Sequence, residues 1–310
     1  MEHIELSVII LSYNTKELLE KCLNSLVLSI KYHVLRAEII AVDNGSTDGS
    51  VEMVKETIIH NTKYNIHLIE NQNNLGFAKG NNVGLTQATG KYILFLNSDT
   101  EVFPGSLSEA VDFMKNHPGV GALTAKTLLA DGKMDPDCHR GFPTPWASIT
   151  YFLGLEKLFP KSRLFGQYHK FFLDLNINHE IDAGAGAFML IPRKVIDKIG
   201  AWDESYFFYG EDLDFNYRIK KAGFKVMFFA KPLLKHYKGA SSGLRKESKN
   251  IAKNSKENRI RVAKASAQAM EIFYKKFYKD IYPWWLTSLV LGAIKVKGWF
   301  RILKYQLKQA

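Results

Sequence analysis

The sequence predicts an α/β fold with a mostly parallel sheet flanked by helices. Two observations carry this. Short apolar runs alternate with segments of helical periodicity through the first half of the chain, and most of those runs end in small polar or acidic residues. Ser7–Leu11, Glu38–Val42, Ile66–Ile69 and Tyr92–Leu96 read as strands. Between the first two, Leu18, Leu19, Cys22, Leu23 and Leu26 recur at the i, i+3/i+4 spacing of one helix face, and Asn14 with Glu17 resembles a capping pair. The opening is therefore a β-α-β unit.

Three strand ends, Ser12-Tyr13-Asn14, Asp43-Asn44-Gly45-Ser46 and Asn97-Ser98-Asp99, should converge, because the carboxyl ends of the strands line the ligand crevice of an open α/β sheet. From Asp131 to about Glu180 the periodicity weakens amid prolines and aromatics, which reads as long loops with one short helix on the acceptor side. Order returns at strand Ala187–Ile191, at a helix over Asp212–Lys221 closed by Gly223, and at strand Lys225–Ala230. The main domain is expected over residues 1–240.

Composition narrows the class. At 310 residues the chain suffices for one large core with an appendage. A hydrophobic fraction of 46% with 24% charged residues argues against disorder and against a multispan membrane protein. Cys22 and Cys138 are far apart, with no Cys or His at metal-ligand spacing, so neither a disulfide framework nor a zinc site is indicated and a reducing cytosol fits. Met1-Glu2-His3 leads straight into the apolar run Leu6–Leu11 without a basic leader, so export is not expected.

The net charge is +11, and residues 231–310 hold roughly fifteen net positive charges. This basic extension, 241–310, begins with a Lys/Arg/Ser/Asn-rich stretch and continues as a helix through Ala263, Ala267, Met270, Phe273 and Phe277. Tyr282–Ile294 is too short an apolar run to span a bilayer, and Trp299, Phe300, Ile302 and Leu303 then alternate with Lys295, Lys297, Arg301 and Lys304. The composition suits the interface of the inner face of the cytoplasmic membrane; packing on the core or on another subunit is the competing reading, and a homodimer stays open.

Several clusters carry chemistry. Asp99 at the sheet edge is placed to bind Mg²⁺ or Mn²⁺, or to form an Asx turn or helix cap before Pro104. Asp43 and Asn44 suit a pyrimidine or ribose, although Asp-Asn-Gly is also a common turn. Gly76 permits close backbone approach, and Lys79 reads as a phosphate contact or, more simply, as a solvated lysine. Glu211, Asp212 and Asp214 crowd three carboxylates into a helix start, so at least one should face a positive ligand or an acceptor hydroxyl. His236, six residues beyond the strand expected to end at Ala230, is a structural histidine or a metal or phosphate contact.

Taken in order, Val8-Ile-Ile-Leu-Ser-Tyr-Asn14, Val42-Asp-Asn-Gly-Ser-Thr-Asp48, Asn74-Leu-Gly-Phe77, Asn97-Ser-Asp99 and Gly210-Glu-Asp212 resemble the family 2 inverting glycosyltransferases, with a GT-A fold. Gly186–Arg193, Gly200–Glu204 and Glu211–Arg218 look most like bacterial rhamnosyltransferases of cell-surface polysaccharide assembly. The resemblance implies a nucleoside-diphosphate sugar donor, dTDP- or UDP-linked, and a glycan or lipid-linked acceptor. It implies donor contacts from Ser12, Tyr13, Asn14, Asp43, Asn44, Gly76, Lys79, Asn97 and Ser98, metal contacts from Asp99 and His236, and Asp212 as the base. Trp202, Asp203 and Glu211 would fall on the acceptor side.

One departure stands out. Asn97 occupies the first position of the family's Asp-x-Asp, where it offers a neutral oxygen in place of a charge. Two other classes compete: a basic peripheral membrane or nucleic-acid-binding protein with a degenerate nucleotide fold, and a sugar nucleotidyltransferase. No nucleic-acid module signature is evident, and Leu11-Ser-Tyr-Asn14 stands where a nucleotidyltransferase has its Gly-rich phosphate loop.

Overall fold

The computed structural model describes residues 4–32, 35–238 and 256–307. Strand β1 (Leu6–Ser12), helix α1 (Lys16–Tyr32) and strand β2 (Ala37–Asp43) form the β-α-β opening, followed by α2 (Ser50–His60), β3 (Asn65–Glu70), α3 (Phe77–Gln87) and β4 (Tyr92–Asn97). These four strands are parallel in the order β3-β2-β1-β4. Ile39–Val42 and Tyr92–Leu96 are continuous apolar runs, as strands covered by helices on both faces must be. Val8 and Ile10 point into one core with Leu19 and Leu23 of α1, while Ile9 points into a second with Ala78 of α3 and Phe95 of β4. Ser12 sits opposite Asp43 and Leu11 opposite Asn97, so the polar strand ends finish level with one another.

The chain continues through β5 (Thr100–Val102), α4 (Ser106–Asn116), β6 (Val120–Leu129), a 3-10 turn (Pro136–Cys138), α5 (Pro145–Phe152), α6 (Leu155–Leu158), β7 (His179–Ile181), β8 (Phe188–Pro192), α7 (Arg193–Ile199), α8 (Glu211–Lys221) and β9 (Lys225–His236). The sheet extends as β4-β8-β6-β9-β5, with β7 also on β9. Strands β1 to β4, β6 and β9 belong to parallel ladders; β5, β7 and β8 pair only antiparallel.

Three local expectations need correction. β9 does not stop at Ala230 but runs to His236, because register shifts between Ala125 and Thr127 of β6 accommodate Pro232, whose missing N–H would otherwise end a central strand. The segment 131–180 holds two short helices and a 3-10 turn instead of one helix. Asn14 does not cap α1: it adopts φ 52°, and its Oδ1 accepts from Thr47 N, while Asp48 Oδ2 accepts from Lys16 N at 2.8 Å. A carboxylate from the β2–α2 connection thus caps the first helix.

Helices α9 (Lys256–Phe277) and α10 (Trp284–Leu307) form an antiparallel hairpin. A Cβ on Gly298 would lie 2.8 Å from Ala267 Cβ, so the two axes approach closely there. Phe273, Tyr274 and Tyr278 pack on Leu213 and Tyr217 of α8, and Lys276 Nζ pairs with Asp203 and Asp214, both at 2.5 Å. The hairpin is therefore packed on the core. The Lys/Arg/Ser/Asn-rich start of the basic extension, 241–255, lies outside the described residues. Among the described residues, no helix is long and apolar enough to cross a membrane.

Trp202 lies inside the second core and not on an acceptor surface: it is 2% exposed, stacks on Phe215 at 4.5 Å and meets Phe95 edge-on at 4.9 Å. A large ring beside two phenylalanines gains more from burial than a wall position offers. Trp202→Ala is expected to cost roughly 3–5 kcal/mol, read as a lower urea midpoint at unchanged slope. A cost below roughly 1 kcal/mol would contradict the packing.

Candidate active site

The level strand ends and the aromatic run before α8 enclose a cavity of ≈ 550 Å³. On the β1–β4 side, Tyr13, Asn44, Gly76, Asn97, Ser98 and Asp99 line it. Ser12 does not reach the cavity wall; its hydroxyl meets Thr15 at 2.9 Å, and Thr15 meets Ser98 Oγ at 3.0 Å, a buried chain that fixes the end of β1 against the end of β4. Asn44 acts as a latch. Its Nδ2 donates to Asn74 Oδ1 and to Gly76 O, while its Oδ1 accepts from Leu75 N and Asn71 Nδ2.

Asp43 turns one oxygen to its own loop, where Oδ2 accepts from Gly45 N and Ser46 N at 3.0 and 2.8 Å. Its Oδ1 is buried without a partner among the described residues, and Asp43, unlike its neighbour Asn44, is not on the cavity wall. Gly76 has φ 84°, and a Cβ there would fall 2.6 Å from the Phe207 carbonyl, so only glycine lets the α3 start meet the aromatic run. Lys79 is exposed on α3 and is not on the cavity wall. Asn14 is likewise engaged with the β2–α2 connection, through Ser46 and Thr47.

His236 and Asp99 meet across β9 and β5, whose register sets His236 opposite Thr100. His236 Nε2 lies 3.1 Å from Asp99 Oδ1, and its Nδ1 lies 3.3 Å from Asp135 Oδ2. Burial works against a charged imidazole, but Asp99 and Asp135 outweigh it and raise the His236 pKa to about 9. At neutral pH the imidazole is therefore protonated in the free protein, and only after losing the Nε2 proton could it join Asp99 Oδ1, 3.1 Å away on the cavity wall, as one side of a divalent-cation site. Among the described residues no group of three His, Cys, Asp or Glu side chains could hold a metal by itself, so the remaining ligands would have to come from a bound diphosphate or water.

The carboxylates at the start of α8 have separate fates. Gly210 opens the helix at φ 85°. Asp212 pairs with the Arg140 guanidinium, and its Oδ1 accepts from Leu213 N at 2.7 Å. Burial alone would lower the Arg140 pKa; Asp212 more than offsets this and raises it. Asp214 is fully buried and neutralised by Arg218 and Lys276. Glu211 lines the cavity with Oε2 unpartnered, and burial, then the neighbouring Asp212 charge, push its pKa up to about 8. Asp203 is not on the cavity wall; although burial opposes it, Lys276 and Ser205 hold its pKa down to about 2.

The model of the family described as "Glycosyl transferase family 2" matches residues 7–200. The chain belongs to that family. The glycosyltransferase is 25% identical over 270 residues to the N-acetylglucosaminyl-diphospho-decaprenol L-rhamnosyltransferase of Mycobacterium tuberculosis, covering 83% of this chain and 84% of that one. It is 25% identical over 226 residues to a low-salt glycan biosynthesis hexosyltransferase of Haloferax volcanii, covering 72% and 64%. Its fold resembles that of a Pyrobaculum calidifontis mannosyltransferase solved with GDP-Man and Mn²⁺, at a TM-score of 0.57 and 17% identity over 99% of this chain and 74% of that one. The fold is thus of the GT-A type.

The transferase also carries wall residues that strand-end reasoning does not reach. Asp135, Asp137, Arg140, Tyr168 and Lys238 also line the cavity, and Lys238 pairs with both aspartates. Asp135-Pro136-Asp137 is itself an Asp-x-Asp, obscured by its position in a proline-rich loop. An acid whose folded pKa lies above its unfolded value supports folding most below the unfolded pKa. For Glu211 that contribution is lost as the pH rises from 4.5 toward about 8. Glu211→Gln is therefore expected to melt roughly 3 °C or more above wild type at pH 8.5, with the two curves meeting near the carboxylate pKa. Equal melting at pH 8.5 would show that Glu211 carries no such penalty.

Proposed function

We propose that this glycosyltransferase moves a sugar, best assigned as L-rhamnose from a dTDP donor with UDP as the alternative nucleotide, to a hydroxyl of a glycan or lipid-linked acceptor during cell-surface polysaccharide synthesis. The observation that carries the reading is that one cavity holds Tyr13, Asn97, Ser98 and Asp99 on one wall and Asp212 with its Arg140 partner on the other. The mycobacterial relative's rhamnosyl name supports the sugar and the lipid-linked acceptor. In this reading residues 1–100 hold the donor, 101–240 receive the acceptor, and 241–310 serve attachment at the inner face of the cytoplasmic membrane.

Tyr13, 36% exposed at the end of β1, offers a ring to the nucleobase, and Asp43 Oδ1 accepts from the base or ribose. Asp99 and His236 would hold Mg²⁺ or Mn²⁺, which when bound neutralises charge on the leaving diphosphate. Asp212 takes the proton from the acceptor hydroxyl, with Arg140 fixing the carboxylate's orientation. Direct displacement then inverts the anomeric carbon. Glu211, protonated below about pH 8, is placed to donate a hydrogen bond into the cavity without adding a second negative charge beside the base.

Asp212→Asn is expected to lower transfer by roughly 10³-fold while donor affinity stays within about threefold, because the amide keeps the shape and loses the proton acceptor. Turnover is measured against binding across a panel of nucleotide sugars, with and without Mn²⁺ or Mg²⁺. Transfer at the wild-type rate would remove Asp212 from the role.

A further inference from the structure

We propose that α5, α6 and α10 together form a docking face for an anionic phospholipid bilayer, beside the transfer cavity; this rests on the lipid-linked-acceptor reading above. Helix α10 has two unlike sides. Its inner side meets α9: Thr287 Oγ1 lies 3.4 Å from Tyr274 Oη, Gly298 faces Ala267, and Arg301 reaches Ser266 Oγ at 3.5 Å. Its outer side carries Trp285, Leu289, Val296, Trp299, Phe300 and Leu307, each more than half exposed. At 3.6 residues per turn these fall within a sector of roughly 100°, with Lys295 on one border and Lys304 on the other. The helix contains no acidic residue.

A second segment joins it. Phe152, Leu153, Leu158 and Phe159, at the ends of α5 and α6, are 52–69% exposed, with Lys157, Lys161 and Arg163 exposed among them. The one acid between residues 145 and 164, Glu156, is buried and bonded to His169. Lys297 Nζ of α10 sits 3.4 Å from the centroid of the Phe152 ring, which makes the two patches neighbours.

The occupant follows from charge. A second copy packed two-fold on this face would set lysines and arginines against their own images with no carboxylate to answer them. An anionic headgroup layer answers them all, and tryptophan, phenylalanine and leucine beside lysine match the depth profile of that layer. The geometry also links the face to the reaction. Arg301, on the inner side of α10, and Ser266 and Met270 of α9 line the transfer cavity. A diphosphate-linked acceptor anchored in the bilayer would thus present its headgroup at the depth of the cavity wall.

The test is co-sedimentation of the full chain with vesicles of phosphatidylglycerol and phosphatidylcholine, against vesicles of phosphatidylcholine alone. Binding is expected to the anionic vesicles only and to weaken with salt. Trp285→Ser with Leu289→Ser and Trp299→Ser should cut the bound fraction at least fivefold, and so, separately, should Phe152→Ser with Leu153→Ser and Leu158→Ser. Unchanged hydrolysis of the nucleotide sugar by both variants, measured without vesicles, shows that they fold. The proposal is overturned if the wild type ignores anionic vesicles, if the α5–α6 variant binds as the wild type does, or if both variants lose self-association in place of vesicle binding. Vesicle binding by a protein that transfers sugar only to water-soluble acceptors would keep the docking face and remove the lipid-linked-acceptor reading beneath it.

Discussion

Three carboxylates within four residues at the start of α8 cannot all stay charged and buried without partners, and the chain answers each differently. Asp214 is matched by Arg218 from its own helix and by Lys276 from α9. Asp212 is matched by Arg140, delivered by the turn after β6. Glu211 has no cation of its own and is relieved by keeping its proton. Removing one cation would leave a buried charge exposed to the full desolvation cost, so the positions of Arg140 and Lys276 are constrained as tightly as those of the acids. The loop 131–140 and the C-terminal hairpin are fixed to the same helix by that requirement.

The same rule holds elsewhere in the cavity lining. His236 is buried between Asp99 and Asp135, and Lys238 sits between Asp135 and Asp137. Burial disfavours every one of these charges singly. Alternating signs make the row tolerable, and the Asp135 pKa is driven down by His236 and Lys238 against its burial. The cavity is therefore bordered by paired charges whose geometry is set before any ligand arrives, the condition under which polar groups act on a developing charge without reorganising.

The parallel half was legible because its signals are local. Each strand from β1 to β4 is an apolar run of fixed length followed by a polar cluster, and crossover helices leave one ordering rule for where such ends point. Asn97 and Asp99 were singled out that way, and the structure sets both on the cavity wall; Asp212 was singled out by the acidic cluster that opens α8 and by the family resemblance. What the sequence hid depends on long-range pairing. His236 reads as a loop residue until the register shift beside Pro232 is known, and Asp135, Arg140 and Lys238 carry no periodic signal of their own. Trp202 and Asp203 show the converse failure: conspicuous residues near a motif, one claimed by a ring cluster and the other by Lys276. Asn14 and Lys79 were singled out by proximity in sequence, and the turn geometry points one to Thr47 and leaves the other in solvent.

Composition alone left the C-terminal hairpin open between packing and an interface, and the structure shows the packing. An amphipathic helix pair can satisfy only as much apolar surface as its partner covers. Here α9 spends its aromatic residues on α8, and α10 spends Val290, Leu291 and Ile294 in the same cluster. That leaves Trp285, Leu289, Val296 and Trp299 uncovered on the far side of a helix whose near side holds Arg301 at the cavity. Packing therefore does not exclude an interface. Because Gly298 brings α10 close against Ala267, the outer stripe and the cavity wall are separated by little more than one helix diameter, about 10 Å. A surface bound by the stripe is thereby held within reach of the cavity that Asp212 lines.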